Sequence, residues 1–431
     1  MPRLLADVGP LKRHPHFRRL WFGQMVSSTG SQLTIVGVAY QAFRLTHSTA
    51  MVGLVSAGQL VPLLVSSLGL ASVGDVKDRR RVLLVTQMGL ALASAGLAVN
   101  AAFPHPALWP LFVCTAASAA FQGVDWPTRN AALRMIVTDE DLPSALGLQL
   151  MLTQWAMVAG PALAGLLVAH VGLSVVFGID VATFGAALVA VLLLPPLMPA
   201  AGATRPGLRS TLEGLRYLKG ERFLVSTFLI DIDAMVFGMP RAVFPALGTG
   251  MFGGGAGTVG LLYAAPGAGA LVGSMFTGWI GGIRRQGRAL VLCVIAWGAS
   301  IAVFGVVPVL WIGLGLLAVA GAADVVGAVF RNAILQATVP DRLRARLSGA
   351  FFGTAAGGPR IGDLEAGGAA ALGGPQFAVW SGGVACVLGV GVLVWRVPEL
   401  WRTKTDRTLP SAGQTEAIIE ATAELGEAEP A

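Results

Sequence analysis

The sequence predicts an all-α integral membrane protein of twelve transmembrane helices in two pseudo-symmetric six-helix halves. Three observations lead there. Hydrophobic residues make up 55% of the 431 residues and charged residues only 12%, against about a quarter charged in soluble domains. The apolar residues gather in runs close to the roughly 20 residues that cross a bilayer as a helix. Of the 30 lysines and arginines, all but Arg44, Arg241 and Arg360 cluster between alternate runs, so one side of the membrane, the cytoplasmic side by the positive-inside rule, receives nearly all the positive charge.

Residues 1–19 are basic and polar, without the apolar core and small-residue cleavage site of a secretory signal. They are expected to be a cytoplasmic segment ahead of a retained first span. The N-terminal half, 20–196, contains apolar runs at about 20–43, 50–74, 82–103, 108–128, 143–169 and 173–196. A polar, basic connection at 197–222, containing Arg205-Pro206-Gly207, reads as a cytoplasmic linker. The C-terminal half, 223–400, repeats the pattern near 223–247, 256–282, 288–307, 309–333, 346–371 and 377–396. The tail 401–431 is Pro-, Ser- and Gly-containing, then acidic through Glu416, Glu420, Glu424, Glu427 and Glu429. That composition predicts cytoplasmic disorder.

The halves read as copies. Arg129-Asn130-Ala131 recurs as Arg331-Asn332-Ala333, and Asp139 with Asp341 and Gly147 with Gly349 keep the same spacing. Parallel repeats of this kind build transporters that rock around a site at the bilayer midplane.

Several other classes are excluded. Gly255-Ala256-Gly257-Thr258-Val259-Gly260 matches a dinucleotide-binding pattern but opens an apolar span instead of joining a strand to a helix. No phosphate-loop motif occurs and none of the four lysines, Lys12, Lys77, Lys219 and Lys404, is placed to clasp a nucleotide. Cys114, Cys293 and Cys386 lie inside apolar runs without a Cys or His at metal-ligand spacing. The basic residues are dispersed among spans, which suits anionic lipid and not a nucleic-acid groove. The expectation is therefore no enzyme, no cofactor, no metal, no nucleotide and no nucleic acid.

An ionisable residue at the centre of a span costs about 2.5–3.5 kcal/mol on insertion scales, so such residues face a bundle interior or an aqueous cavity and nominate a site. In the eleventh run, Gly358-Pro359-Arg360-Ile361-Gly362-Asp363-Leu364-Glu365 holds three. Arg360 and Asp363 share a helix face and can pair, Glu365 points elsewhere, and Pro359 with the glycines can break the helix. Either a transport site or an ion pair locking the helix fits. In the seventh run, Asp231 and Asp233 point to nearly opposite faces, so one is expected at the cavity. Carboxyl groups withdrawn from water in a cleft are candidate proton exchangers, which makes Asp363, Asp231, Asp233 and Glu365 the candidates for proton coupling. Arg241, beside Pro240, suits an anionic substrate or an outer-gate salt bridge, and Arg360 is the other candidate for substrate binding. Asp125 shares a face with Arg129, and Asp324 with Arg331. These repeat-related pairs read as an inner gate or as topological anchors. Asp180, toward the outer end of the sixth run, stands alone and receives no role.

These residues also carry a resemblance. His14-Pro15-His16-Phe17-Arg18, the Thr46-His47-Ser48-Thr49 loop before Val52-Gly53-Leu54, Arg241-Ala242-Val243-Phe244-Pro245-Ala246-Leu247, Gly260-Leu261-Leu262-Tyr263-Ala264-Ala265 and Gly362-Asp363 resemble the enterobactin-exporter type of the major facilitator superfamily. Asp75 to Arg81 looks like the superfamily's loop between helices two and three, an altered copy in which Ala71, Val76 and Asp78 depart from its pattern. Gly160-Pro161-Ala162-Leu163-Ala164-Gly165 resembles an exporter signature in the fifth helix, with Ala164 in place of one of its glycines. The resemblance implies a proton-coupled exporter of a small organic molecule of siderophore type in the bacterial cytoplasmic membrane, working as a monomer with both termini cytoplasmic. It also implies that Asp75, Arg79 and Arg80 help close the inner side. Amphipathic drugs or dyes are the alternative cargo, and a passive lipid scramblase or a receptor the alternative activity.

Overall fold

A computed structural model of the protein describes residues 7–70, 77–198, 222–275, 283, 285–338 and 341–402. Among these residues the regular secondary structure is entirely helical. The N-terminal half contains α1 (Pro15–Thr46), α2 (Thr49–Ala57, continued by Leu60–Val65), α3 (Arg79–Ala102), α4 (Trp109–Ile136), α5 (Leu142–Val171) and α6 (Leu173–Leu192). The C-terminal half contains α7 (Arg222–Phe237), α8 (Gly255–Met275), α9 (Gln286–Phe304), α10 (Leu310–Thr338), α11 (Asp341–Gly373) and α12 (Pro375–Arg396). Eight helical passages, with α7 counted through to Met251, are long and apolar enough to cross a membrane by length and composition. The longer helices outside that set carry interior polar groups: Gln24, Ser27 and Thr34 in α1, Asp125 and Arg129 in α4, Arg360 and Asp363 in α11.

The helices overrun the apolar runs. α1 starts at Pro15, α4 continues to Ile136, and α11 starts at Asp341, because an apolar run measures the hydrocarbon thickness while basic and polar turns remain good helix formers beyond it. The break expected in the eleventh span at Pro359 does not occur, since α11 runs through it. The broken span is the seventh, where α7 stops at Phe237 and a 3-10 turn, Arg241–Val243, follows Pro240. The linker 197–222 and the tail 401–431 fall almost wholly outside the described residues.

Local sequence explains the connections. His47 adopts a left-handed φ of 49° and ends α1, while the hydroxyl of Ser48 accepts the Met51 N–H to start α2. Gly172 and Gly374, at φ 85° and 89°, make single-residue turns from α5 into α6 and from α11 into α12. Positive φ favours glycine there. These two glycines keep the spacing that relates Arg129 to Arg331, so one turn device serves both repeats.

The halves meet where backbones can touch. At the end of the bundle distal to the N-terminus, a Cβ on Gly53 of α2 would strike the Asp363 carbonyl of α11, and one on Gly367 would approach Thr49 of α2. Gly165 of α5 and Gly260 of α8 face one another so closely that a Cβ on either would overlap the other helix. Small residues drive helix association in lipid by permitting such approach, because hydrocarbon offers no hydrophobic gain. Within the C-terminal half, Gly269 and Gly273 of α8 play the same part against Ala318 and Ala322 of α10. The molecule is thus closed at its distal end.

Replacing Gly260 with Leu should prise the distal end apart. In a cysteine-free background, Thr49→Cys, buried at the α2–α11 contact, should react several-fold faster with a thiol reagent in the Gly260→Leu protein. Equal labelling rates would contradict the closure.

Candidate transport site

Beneath the distal closure lies a cavity of about 450 Å³, walled by residues from α1 through α11. Its two walls differ in chemistry. The N-terminal half supplies hydroxyls and amides, among them Gln32, Thr34, Ser94 and Gln122, and one acid, Asp180. The C-terminal half supplies Arg241, Arg360, Asp324 and Asp363, with Tyr263 and Trp297 beside them. Two of the three arginines outside the positive-inside pattern therefore line the cavity. The third, Arg44, sits over the Tyr40 ring at 5.9 Å at the distal end of α1.

Arg241 reaches the cavity because α7 breaks. Pro240 cannot continue the helix hydrogen-bond ladder, and the freed carbonyls find partners: Trp297 Nε1 donates to Gly238 O at 2.8 Å and Tyr263 Oη donates to Arg241 O at 2.9 Å. Irregular backbone is tolerated at membrane depth when its polar groups are met in this way. On α11, Asp363 Oδ2 accepts the Ser56 hydroxyl of α2 at 2.5 Å, a bond between the two halves. Arg360 donates to the Ala356 carbonyl of its own helix. No ion pair joins Arg360 to Asp363 among the described residues, so the expected direct pairing gives way to these two bonds.

The other predicted residues distribute unevenly. Asp231 is buried and binds Arg331 of α10 across the helix interface, with Asp324 close enough to feel both charges. Asp233 faces α12, bonding the Cys386 thiol and crowding Gly389. Neither Asp231 nor Asp233 lines the cavity, contrary to the expectation for one of them, because α7 turns both toward neighbouring helices of its own half. Glu365 also lies off the cavity wall, on the other side of α11 from Asp363. Asp125 accepts Arg129 Nε at 3.0 Å, together with the Thr86 hydroxyl at 2.7 Å and the Gln87 amide at 2.9 Å. Arg79 bonds the Ala131 carbonyl and Arg80 the Leu192 carbonyl, so both tie together the proximal helix ends of the N-terminal half. Asp75 lies outside the described residues.

Sequence reasoning missed Asp180. It is 1% exposed on average yet contributes to the cavity wall, and it accepts Thr34 Oγ1 and Ser94 Oγ at 2.6 Å each and Thr183 Oγ1 at 3.2 Å. The signal was available as the Ser/Thr content of α1 and α3, which only the fold brings to one point.

A closed bundle of two helical repeats around a central cavity that carries charged side chains on a largely apolar lining defines a multi-pass membrane transporter. The chain belongs to the transmembrane secretion effector family of the major facilitator superfamily, whose model matches residues 6–423. It is 26% identical over 410 residues to an enterobactin exporter of Citrobacter koseri, covering 94% of this chain and 97% of the relative. It is 27% identical over 394 residues to one of Shigella boydii serotype 18, covering 90% and 93%. Among solved structures, a POT family transporter in complex with 5-aminolevulinic acid aligns with a TM-score of 0.72 at 13% identity, over 90% of this chain and 97% of that one. A bacterial homolog of the human lysosomal transporter Spinster, inward-facing and unoccupied, aligns with a TM-score of 0.67 at 14% identity, over 92% and 97%. The structural likenesses establish the shared fold.

Breaking a buried ion pair strands one charge, at a cost of about 3–5 kcal/mol, whereas replacing both partners by apolar groups is often near neutral. Arg331→Leu and Asp231→Leu should each destabilise the protein by about that amount, with the double substitution recovering most of the loss. Additive losses in denaturant unfolding from lipid-detergent micelles would contradict a dominant Asp231–Arg331 pair.

Proposed function

We propose that the chain is a secondary exporter that moves a small anionic aromatic molecule, of the catecholate siderophore type, out of the cytoplasm in exchange for protons. The observation that carries this reading is the cavity between the halves, with both arginines on one wall and acids beside them. Arg241 and Arg360 offer charge-assisted hydrogen bonds to phenolate or carboxylate oxygens. Met157, Met235, Met239 and Phe184 offer soft apolar surface for rings. Likeness to enterobactin exporters over nine-tenths of the chain supports the same substrate class. In this reading the distal end faces outward, both termini lie in the bacterial cytoplasm, and the protein works as a monomer in the inner membrane.

Export by alternating access requires that proton and substrate occupancy bias the same closure. Asp363 is suited to that task because it borders the cavity and bonds Ser56 across the seam. A proton on Asp363 alters that bond, and an anionic substrate alters the charge balance with Arg241 and Arg360. Asp231, Asp233 and Glu365 are assigned supporting positions within the C-terminal half. Asp125, Arg129, Asp324 and Arg331 and the loop of Asp75, Arg79 and Arg80 are assigned to the proximal gate, which closes when the distal end opens, although Arg331 binds Asp231 where its helix-face spacing suggested Asp324. The methionine-lined wall also suits amphipathic drugs or dyes, the second reading, since thioethers adapt to varied shapes.

Two outcomes are expected in proteoliposomes. Asp363→Asn should abolish catecholate flux driven by an imposed pH gradient while preserving counterflow without one; retained gradient-driven flux would move coupling elsewhere. Arg241→Ala should weaken catecholate binding by about 1.5–3 kcal/mol, roughly ten- to a hundredfold, and leave binding of a cationic dye unchanged. Equal loss for both ligands would favour the drug reading.

A further inference from the structure

We propose that Asp180 is a second proton-carrying carboxyl of the cavity, held in the N-terminal half by the hydroxyls of Thr34, Ser94 and Thr183. The proposal rests on the antiport reading above but concerns a residue outside the charged wall of the C-terminal half.

The partners of Asp180 set it apart. Asp125 and Asp231 bind arginines, and Asp141 binds Arg13 and His14; such partners suit only a carboxylate. Every side-chain partner of Asp180 is instead a hydroxyl. A hydroxyl can donate or accept, so the same three groups serve the carboxylate and the neutral acid without rearrangement of the helices. Among the described residues, the elements packed most against α6 are α1, α3 and α5, and none of these sets a charge beside Asp180. The arginines of α1, Arg18, Arg19 and Arg44, lie toward its ends, as do His16 and Tyr40; those of α3, Arg79, Arg80 and Arg81, fill its first turn; and α5 has only His170, in its last turn. The proximal end of α6 receives Arg80 and Arg19 on the Leu192 and Leu193 carbonyls, about 18 Å along the helix from Asp180. Across the cavity stand Arg241, Arg360, Asp324 and Asp363.

The packing keeps this cluster intact. Gly30 of α1 leaves room for it, since a Cβ there would overlap Thr183 Oγ1 and Asp180 Oδ1. An isolated carboxylate withdrawn from water and given no cation is costly, and a bound proton removes that cost. When the cavity is wetted, the carboxyl O–H bond breaks, the proton passes to a cavity water, and the Thr34 and Ser94 hydroxyls turn to donate to the carboxylate left behind, with the Thr183 hydroxyl shared between that carboxylate and the Asp180 backbone carbonyl. One proton leaves, and one negative charge appears across the cavity from Arg241 and Arg360.

Infrared difference spectroscopy of the full-length protein in lipid nanodiscs, titrated with acid and base, tests this directly. The carbonyl stretching band of a protonated carboxylic acid should be present in the wild type, respond to pH, and be absent or reduced by one group in Asp180→Asn. An undiminished band in Asp180→Asn would overturn the proposal. If that variant fails to assemble, Thr34→Val removes one hydroxyl from Oδ2 and should move the band; a band unmoved in Thr34→Val would overturn it as well. The antiport reading is tested separately by wild-type flux in proteoliposomes, where indifference to the pH gradient would sink it without touching the infrared result.

Discussion

Placing a charged side chain at the centre of a spanning helix costs about 2.5–3.5 kcal/mol, and that cost falls only where another polar group or water answers the charge. The architecture follows from this constraint. Asp125 is met by Arg129, Thr86 and Gln87, Asp231 by Arg331, Asp180 by three hydroxyls and Asp363 by Ser56. The first three answers come from within one half and stiffen it as a body. The last comes from the opposite half, and it sits beside the cavity. Rigid halves joined through a polar seam that can be remade are what rocking requires.

Glycine completes that arrangement. In lipid the association of helices depends on close packing and on interhelical hydrogen bonds averaging about 0.6 kcal/mol each, so no single contact holds the distal end shut. The Gly165–Gly260 and Gly53–Asp363 approaches give a closure built from many weak contacts over a short length. The proposed cycle asks such a closure to seal the cavity and to yield when the charge inside it changes.

Much of this was legible in the chain. Alternating basic clusters and apolar runs gave the helices, and the Arg129 and Arg331 motifs gave the repeat, because both are properties of residue order. Arg241 and Arg360 were legible as exceptions to the charge pattern, and the fold places both at the cavity. What could not be read was partnership across helices. Asp231 and Asp233 sit in the right span, but which helix each one meets depends on the rotation of α7 about its axis ahead of the break at Pro240, which no sequence spacing encodes. Pro359 shows the converse: α11 carries it without interruption, while Pro240 coincides with a stop because Gly238 and the side chains of Trp297 and Tyr263 accommodate the opened backbone. Asp180 looked solitary because its partners lie on three different segments, two of them distant in sequence.

Rocking of two rigid halves about the charged seam is tested most directly by paired distances at both ends of the molecule. Spin labels at Phe103 and Leu372 report the distal end, and labels at Met198 and Met275 the proximal end; all four positions are exposed. In nanodiscs, with pH varied and a catecholate ligand added, the distal distance should lengthen as the proximal distance shortens, with each distribution narrow at its extremes. Distances that stay fixed at both ends under every condition, or that lengthen and shorten together, would contradict it.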